Sequence, residues 1–196
     1  MVWIASTLLS VVAIHSFAQQ KSLQCGQWRW DVKTLTDKDG AALLKAQPKA
    51  MEFDRILFSM PPRTLDKKSA TDKVQPRFPS EKEVLEFTAY ITTINITEDD
   101  HDFRIVLKSP GSDNTMLGEL PNPDCATFSR FPEQRANFKQ TWEQLSAIMT
   151  RISGDSKPVK VKITGVRFWD APTGERGANI SGLEIHPVLS VIVIPD

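Results

Sequence analysis

The chain has 196 residues, and its 24 lysines and arginines balance 24 aspartates and glutamates, so the formal net charge at pH 7 is zero. Proteins whose main partner is nucleic acid usually present a cationic face that neutralises phosphates. Here basic and acidic residues are interspersed, which argues against nucleic acid as the main partner. The length suits one domain with a substantial core, and five tryptophans and ten phenylalanines are available to fill it.

The amino terminus has the pattern of an export signal. Residues 2–18 contain no charged side chain and end in Ser16-Phe17-Ala18, with small residues at the two positions that signal peptidase reads. The alternative is a membrane anchor made of the same residues, but an anchor needs about 20 apolar residues and polar residues interrupt this run. We therefore interpret residues 1–18 as a cleaved signal peptide. The mature protein is expected to be secreted or periplasmic, with no membrane span.

The chain has two cysteines, Cys25 and Cys125. In an exported protein two cysteines most simply form one disulfide. A metal or redox pair is the competing interpretation, and neither cysteine has a second one at C-x-x-C spacing. The predicted bridge closes a loop of about 100 residues, which is worth up to about 4.7 kcal/mol in the chain-entropy model.

Residues 19–83 have the least regular pattern. Trp28, Trp30 and Val32 alternate with charged residues, which predicts a short half-buried strand, and a short helix is expected around residues 39–47. The prolines that follow favour an extended arm and a mobile loop, wrapped around the rest of the protein. The expected anchors of this arm are Met51, Phe53, Ile56, Leu57 and Phe58.

Residues 84–196 have the element order of a small barrel. Alternating apolar residues predict strands at 84–96, 103–108 and 115–120, a strand from residue 159 and a last strand at 188–194. Between the third and fourth strands, an apolar stripe with four- and three-residue spacing predicts an amphipathic helix, which starts near Pro132 and stops at Gly154. An OB-type barrel has this order, with five strands and its helix between strands three and four. We therefore predict a mainly β fold with one long helix, namely a five-stranded OB-like barrel plus an N-terminal arm.

An acidic turn between the first two barrel strands offers candidate metal ligands. Its sequence is Glu98-Asp99-Asp100-His101-Asp102, and carboxylate oxygens suit a hard divalent cation such as calcium. Glu98, Asp100 and Asp102 are the candidate ligands. The spacing is not that of an EF-hand loop, and a solvated hairpin tip has the same composition. A divalent cation is thus the only cofactor considered, and both interpretations stay open.

The second group of candidates precedes the final strand. His186 and Glu184 lie two residues apart, on the same side of a strand, where the histidine could act as a metal ligand, a general base or a hydrogen-bonded structural residue. No Ser/His/Asp or Cys/His set can be assembled. The stretch from Gly174 to Gly177 lies between two strands and does not open a helix, so it is not a phosphate-binding glycine loop.

Several short segments occur together in a specific order: Trp30–Asp37, Glu98–Phe103, Met116–Pro121 followed by Cys125, Thr164–Asp170 and Glu184–Val188. Together they resemble a family of uncharacterised exported bacterial proteins with an OB-like barrel and the motifs EDDxD and E-I/L-H-P-V. The resemblance covers nearly all of the mature chain and implies export and a bacterial origin, but no activity. Arg104 and Thr173 stand where members of the family usually have histidine. If those histidines bind a metal, this chain lacks part of the site.

The chain has a more distant, topological similarity to staphylococcal-nuclease-like domains. In such nucleases carboxylates hold calcium while arginines stabilise the phosphate, and the nearest candidates here are Asp100, Asp102, Arg104 and Glu119. If the chain is an enzyme, Arg104, Glu119 and His186 are the candidate catalytic residues.

Three functions are therefore considered. The leading hypothesis is a non-catalytic exported domain that binds a ligand or an envelope component. The alternatives are a divergent metal-dependent phosphodiesterase or nuclease, with Arg104 or Arg167 stabilising charge, and a structural or assembly protein of the cell envelope. Asn95 and Asn179 begin formal glycosylation sequons. The sequence leaves the ligand and the oligomeric state open.

Overall fold

The computed structural model describes residues 23–65, 75–155, 157–172, 174 and 176–195. The predicted signal peptide, residues 1–18, lies outside the described residues. Within the described part of the chain, no helix has the length and apolarity needed to cross a membrane.

Five strands close into a barrel. They are β2 (Val84–Ile96), β3 (Phe103–Lys108), β4 (Thr115–Leu120), β5 (Val159–Trp169) and β6 (Leu183–Val193). The spatial order is β2-β3-β4-β6-β5, and β5 pairs back onto β2. The β4–β6 pair is parallel and the other barrel pairs are antiparallel. Alternate side chains of each strand fill the interior, so the predicted mainly β barrel, consistent with an OB-like fold, is confirmed.

One long helix, α4 (Pro132–Asp155), packs on the barrel. Phe138, Leu145 and Ile148 are buried on its inner face. Thr141 Oγ1 donates to the carbonyl of Leu189 at 2.7 Å, and the side-chain oxygen of Gln144 accepts from the N–H of Val191 at 2.9 Å. The helix thereby satisfies backbone groups of β6 that face no neighbouring strand. It continues one residue past Gly154, so glycine does not end it as predicted.

The segment before the barrel is a folded arm. Its described elements are α1 (Trp30–Lys33), α2 (Gly40–Leu44), β1 (Lys49–Ala50), α3 (Phe53–Leu57) and a 3-10 helix (Pro79–Lys82). The short β1 adds to the edge of β2 in parallel. The disulfide between Cys25 and Cys125 is confirmed and joins the start of the arm to the segment between β4 and α4.

Three predictions about local structure are wrong. Residues 30–33 are a helical turn and not a strand, since backbone hydrogen bonds from Lys33 and Thr34 return to Arg29 and Trp30. Phe58, expected to anchor the arm, is 73% exposed. The last strand begins at Leu183, so Glu184 and His186 lie inside β6 and not before it.

Candidate functional site

Three candidate residues, Glu119 of β4 and Glu184 and His186 of β6, meet on the outer surface of the barrel. Because side chains alternate along a strand, Ile185 faces the core while Glu184 and His186 face outward. The parallel register pairs Gly118 with Ile185, which brings the next residue, Glu119, beside His186. Ligand atoms of Glu119, Glu184 and His186 all lie within 4.8 Å of one another. We refer to these three residues as the carboxylate–histidine cluster.

The N-terminal arm covers the cluster. Lys33 of α1 places its ammonium 3.2 Å from Asp170 Oδ2 and 5.2 Å from the centre of the Phe168 ring. The Phe168 ring in turn lies 5.4 Å from the imidazole of His186. Under this cover Glu119 is 5% exposed, Glu184 6% and His186 0%. The cluster is therefore a buried polar site on the outside of a barrel, enclosed by the arm.

Several polar atoms of the cluster have no hydrogen-bond partner among the described residues. They are Glu184 Oε2 and both ring nitrogens of His186. His186 Nδ1 lies 3.2 Å from Glu119 Oε2, close enough to lower the pKa of that carboxyl, but the contact does not have the geometry of a hydrogen bond. A buried polar group without a partner costs about 1–3 kcal/mol. The cluster therefore lowers the stability of the folded protein, and its described contacts do not offset this loss.

The charges of the cluster differ from those of the free amino acids. Burial, reinforced by the negative charges of Glu119 and Asp170, raises the pKa of Glu184 well above its ordinary value. Burial also lowers the pKa of His186, against the attraction of Glu119. Glu119 is buried as well, but His186, Lys33 and Arg104 hold its pKa below the ordinary value. These shifts favour the ionised form of Glu119, the protonated form of Glu184 and the neutral form of His186.

Two cations flank the ionised carboxylate. Arg104 is paired with Glu119 across β3 and β4, and its Nε donates to Glu119 Oε1 at 2.7 Å. The Arg104 side chain is 31% exposed, so it forms the edge of the site that reaches solvent. Burial disfavours the Lys33 ammonium, but Asp170, Glu119 and Glu184 more than compensate and raise the pKa of Lys33.

The acidic turn makes its hydrogen bonds outside this cluster, although the charges of Glu119 and Lys33 act on Asp102. Asp100 Oδ1 accepts a hydrogen bond from Thr97 Oγ1, and Asp102 Oδ1 accepts one from the backbone N–H of Asn122 at 2.9 Å. Glu98 is exposed. Among the described residues, the group of three side chains with metal-ligand spacing includes none of these three carboxylates. The turn's hydrogen bonds shape a hairpin, and the metal-binding hypothesis for Glu98, Asp100 and Asp102 stays a prediction.

Asp102 should make the stability of the protein depend on pH. Burial and then the charge of Asp100, with Glu119 adding to them, raise the pKa of Asp102 to about 8, although the Asn122 N–H and Lys33 act in the opposite direction. The folded state therefore holds this proton more tightly than the unfolded state, and the stabilisation is lost as the pH rises through about 8. Urea titrations at pH 5 and pH 9 provide the test. Between these two pH values the free energy of unfolding of the native protein should fall by about 2–4 kcal/mol more than that of Asp102→Asn. An equal fall in the two proteins would contradict the raised pKa.

Sequence reasoning missed two residues of the site. The alternating pattern at residues 28–33 predicts a strand with Lys33 on its polar face, and Asp170 only follows an apolar strand. Both lie inside the segments that carry the family resemblance, Trp30–Asp37 and Thr164–Asp170. That shared position is the signal that could have found them.

Comparisons with known proteins add no function to this geometry. Models of protein families, curated proteins and solved structures were all compared with the chain, and none matches it. The resemblance to exported bacterial proteins therefore stays a prediction, and the function has to be argued from the site.

Proposed function

We propose that the protein is a non-catalytic binding domain whose ligand site is the carboxylate–histidine cluster. The observation that carries this proposal is that three of the six buried side-chain polar atoms without a partner among the described residues lie in this one cluster, namely Glu184 Oε2 and the two ring nitrogens of His186. Buried polar groups of native proteins are normally hydrogen-bonded. Departures from that rule concentrate at functional sites, where a bound ligand supplies the missing partners.

A neighbouring pair of buried charges supports this interpretation. Arg29 and Glu81 are both fully buried, and every carboxylate oxygen of Glu81 has partners: the guanidinium of Arg29 and the backbone N–H groups of Phe78 and Trp169. The Arg29 guanidinium lies 4.6 Å from the centre of the Phe168 ring, which also lies 5.4 Å from the imidazole of His186. The same part of the fold thus satisfies one buried carboxylate completely and leaves another incomplete.

We place this binding domain outside the cytoplasm, in a secreted or periplasmic setting. The disulfide between Cys25 and Cys125 supports this placement, because disulfides persist in oxidising compartments and are rare in the cytosol. The ligand is therefore one that is present outside the cytoplasm.

If the burial of Glu184 lowers the stability of the protein, replacing this residue should stabilise the folded state. Glu184→Gln is expected to raise the free energy of unfolding at pH 8 by about 1–3 kcal/mol, because the carboxyl group is ionised in the unfolded chain at that pH and burial disfavours its charge, whereas the amide has no charge to bury. Glu184→Met, which introduces no donor, should act in the same direction. The measurement is urea unfolding of the full chain with its disulfide intact.

The matched control is the other carboxylate of the cluster. Glu119→Gln should lower the free energy of unfolding, because Arg104 loses the charge at 2.7 Å with which it pairs. If Glu184→Gln and Glu184→Met both destabilise the protein as Glu119→Gln does and no metal ion binds, the cluster is a structural element and the proposal fails.

A further inference from the structure

We infer that the ligand of the carboxylate–histidine cluster is a divalent first-row transition-metal ion, held by Glu119, Glu184 and His186. This inference rests on the proposed function, since it names the ligand of the same site. It is carried by the geometry of the three ligand atoms, which lie within 4.8 Å of one another and are buried. Atoms bonded to one ion at about 2.1 Å lie at most about 4.2 Å apart, so small side-chain rotations complete the site.

One pair of candidate ligand atoms is already close to the spacing that a metal ion requires. His186 Nδ1 and Glu119 Oε2 are 3.2 Å apart without a hydrogen bond between them. Two ligands of a tetrahedral ion with bonds of about 2.1 Å are separated by roughly 3.4 Å. Glu184 offers the third ligand atom, within 4.8 Å of those of Glu119 and His186. One ion would supply a partner for one ring nitrogen of His186 and for the Glu184 carboxylate at once.

The donor types select the class of ion. Calcium takes six to eight oxygen ligands and magnesium usually keeps several waters, whereas a neutral imidazole together with carboxylates suits zinc, cobalt or manganese. The cluster offers one imidazole and two carboxyl groups. The positive charges of Lys33 and Arg104 compensate part of the negative charge of the carboxylates. The cluster therefore attracts a cation less strongly by charge alone, which favours an ion that also bonds strongly to the nitrogen of His186.

The test is calorimetric titration of the full chain, disulfide intact, with Zn²⁺ and Co²⁺ and, separately, with Ca²⁺ and Mg²⁺. We expect one transition-metal ion per chain and at least tenfold weaker binding of Ca²⁺ and Mg²⁺. Glu184→Gln and His186→Gln should each weaken Co²⁺ binding by at least about tenfold, because loss even of an outer-shell partner costs about 10–100-fold. The visible absorption spectrum of bound Co²⁺ should change in the same variants.

The controls come from the acidic turn. Glu98→Gln and His101→Gln have the same chemistry as the cluster variants and should leave the affinity unchanged. Metal binding that is lost in Glu98→Gln and kept in the cluster variants would overturn the inference and place the ion at the turn. If His186→Gln does not fold, Glu184→Gln, which is expected to be the more stable variant, decides the question.

The two proposals fail in different ways. If no transition metal binds while Glu184→Gln still stabilises the protein, the inferred metal is wrong and the cluster binds another ligand. If Glu184→Gln and Glu184→Met destabilise the metal-free protein and no ion binds, the proposed binding function fails as well.

Discussion

Glu81→Gln is expected to lower the free energy of unfolding by about 3–5 kcal/mol, because it leaves the guanidinium of Arg29 buried without a counter-charge. Arg29 Nη1 lies 2.9 Å from Glu81 Oε1, and both side chains are fully buried. Glutamine would also turn an amide nitrogen toward groups that are themselves donors, the Arg29 guanidinium and the N–H of Phe78 or Trp169. Urea unfolding of the disulfide-intact chain measures the loss.

The matched control for this change is an exposed ion pair. Glu133 lies 2.9 Å from Lys45, with side chains 60% and 66% exposed, so Glu133→Gln should cost only about 0–1 kcal/mol. Domains of ordinary stability unfold with about 5–15 kcal/mol, so the loss at Glu81 is a large share of the total. Equal losses in the two variants would show that Arg29 and Glu81 contribute no more than a surface pair.

The strand predicted around residues 28–32 is wrong because of this buried pair, which holds the chain there in a helical turn. The alternation of Trp28, Trp30 and Val32 with charged residues assumes that the charges face water, but Arg29 is 1% exposed and Trp28 is 48% exposed. Arg29 has a positive φ of 48°, a conformation that non-glycine residues adopt only when their surroundings hold them. Those surroundings are Glu81, the Trp169 carbonyl and the rings of Phe78 and Phe168. None of them is close to Arg29 in sequence, so no local pattern could reveal them.

The barrel itself was largely predictable because its strands alternate regularly and its helix has a clear apolar stripe. Glu184 and His186 were also expected on one side of a strand, since residues two apart in a strand share a face. Glu119 is also a candidate in the sequence, but no sequence pattern predicts that it contacts Glu184 and His186. Their contact depends on the parallel pairing of β4 with β6, which exists only because α4 and β5 intervene and the barrel closes. Long-range pairing of this kind is not encoded in a local pattern.

The position of the cluster follows from the combination of barrel and arm. A charged group on the outer surface of a barrel would normally be solvated, and its unpaired atoms would cost little. Here α1 lies over the outer surface, held by Arg29 to Glu81 and by Trp30 Nε1, which donates to Thr127 Oγ1 at 2.9 Å. The arm converts a surface patch into a buried site, and this is what makes the unpartnered atoms of Glu184 and His186 costly.

Removing the disulfide, as Cys25→Ala with Cys125→Ala, should lower the free energy of unfolding by about 2–5 kcal/mol. The two cysteines are 100 residues apart in sequence, so the bridge restricts the unfolded chain strongly. Cys125 is 2% exposed, and alanine fills its position without adding a buried polar group. In urea titrations the slope should also increase, because the unbridged unfolded chain exposes more surface. A reductant should shift the native protein's curve to that of the double variant, and should leave the variant's own curve in place.

The folded state should change little when the bridge is removed. Arg29 keeps its ion pair with Glu81, and Trp30 keeps its hydrogen bond to Thr127, in the segment between β4 and α4. Gln134 Nε2 of α4 still donates to the Leu35 carbonyl at 3.0 Å, so the arm stays attached. The double variant should therefore bind Co²⁺ with the affinity of the native chain under conditions where both are folded. Weaker binding by the folded variant would show that the bridge positions the arm over the cluster, and coincident unfolding curves of oxidised and reduced protein would refute the stabilising role.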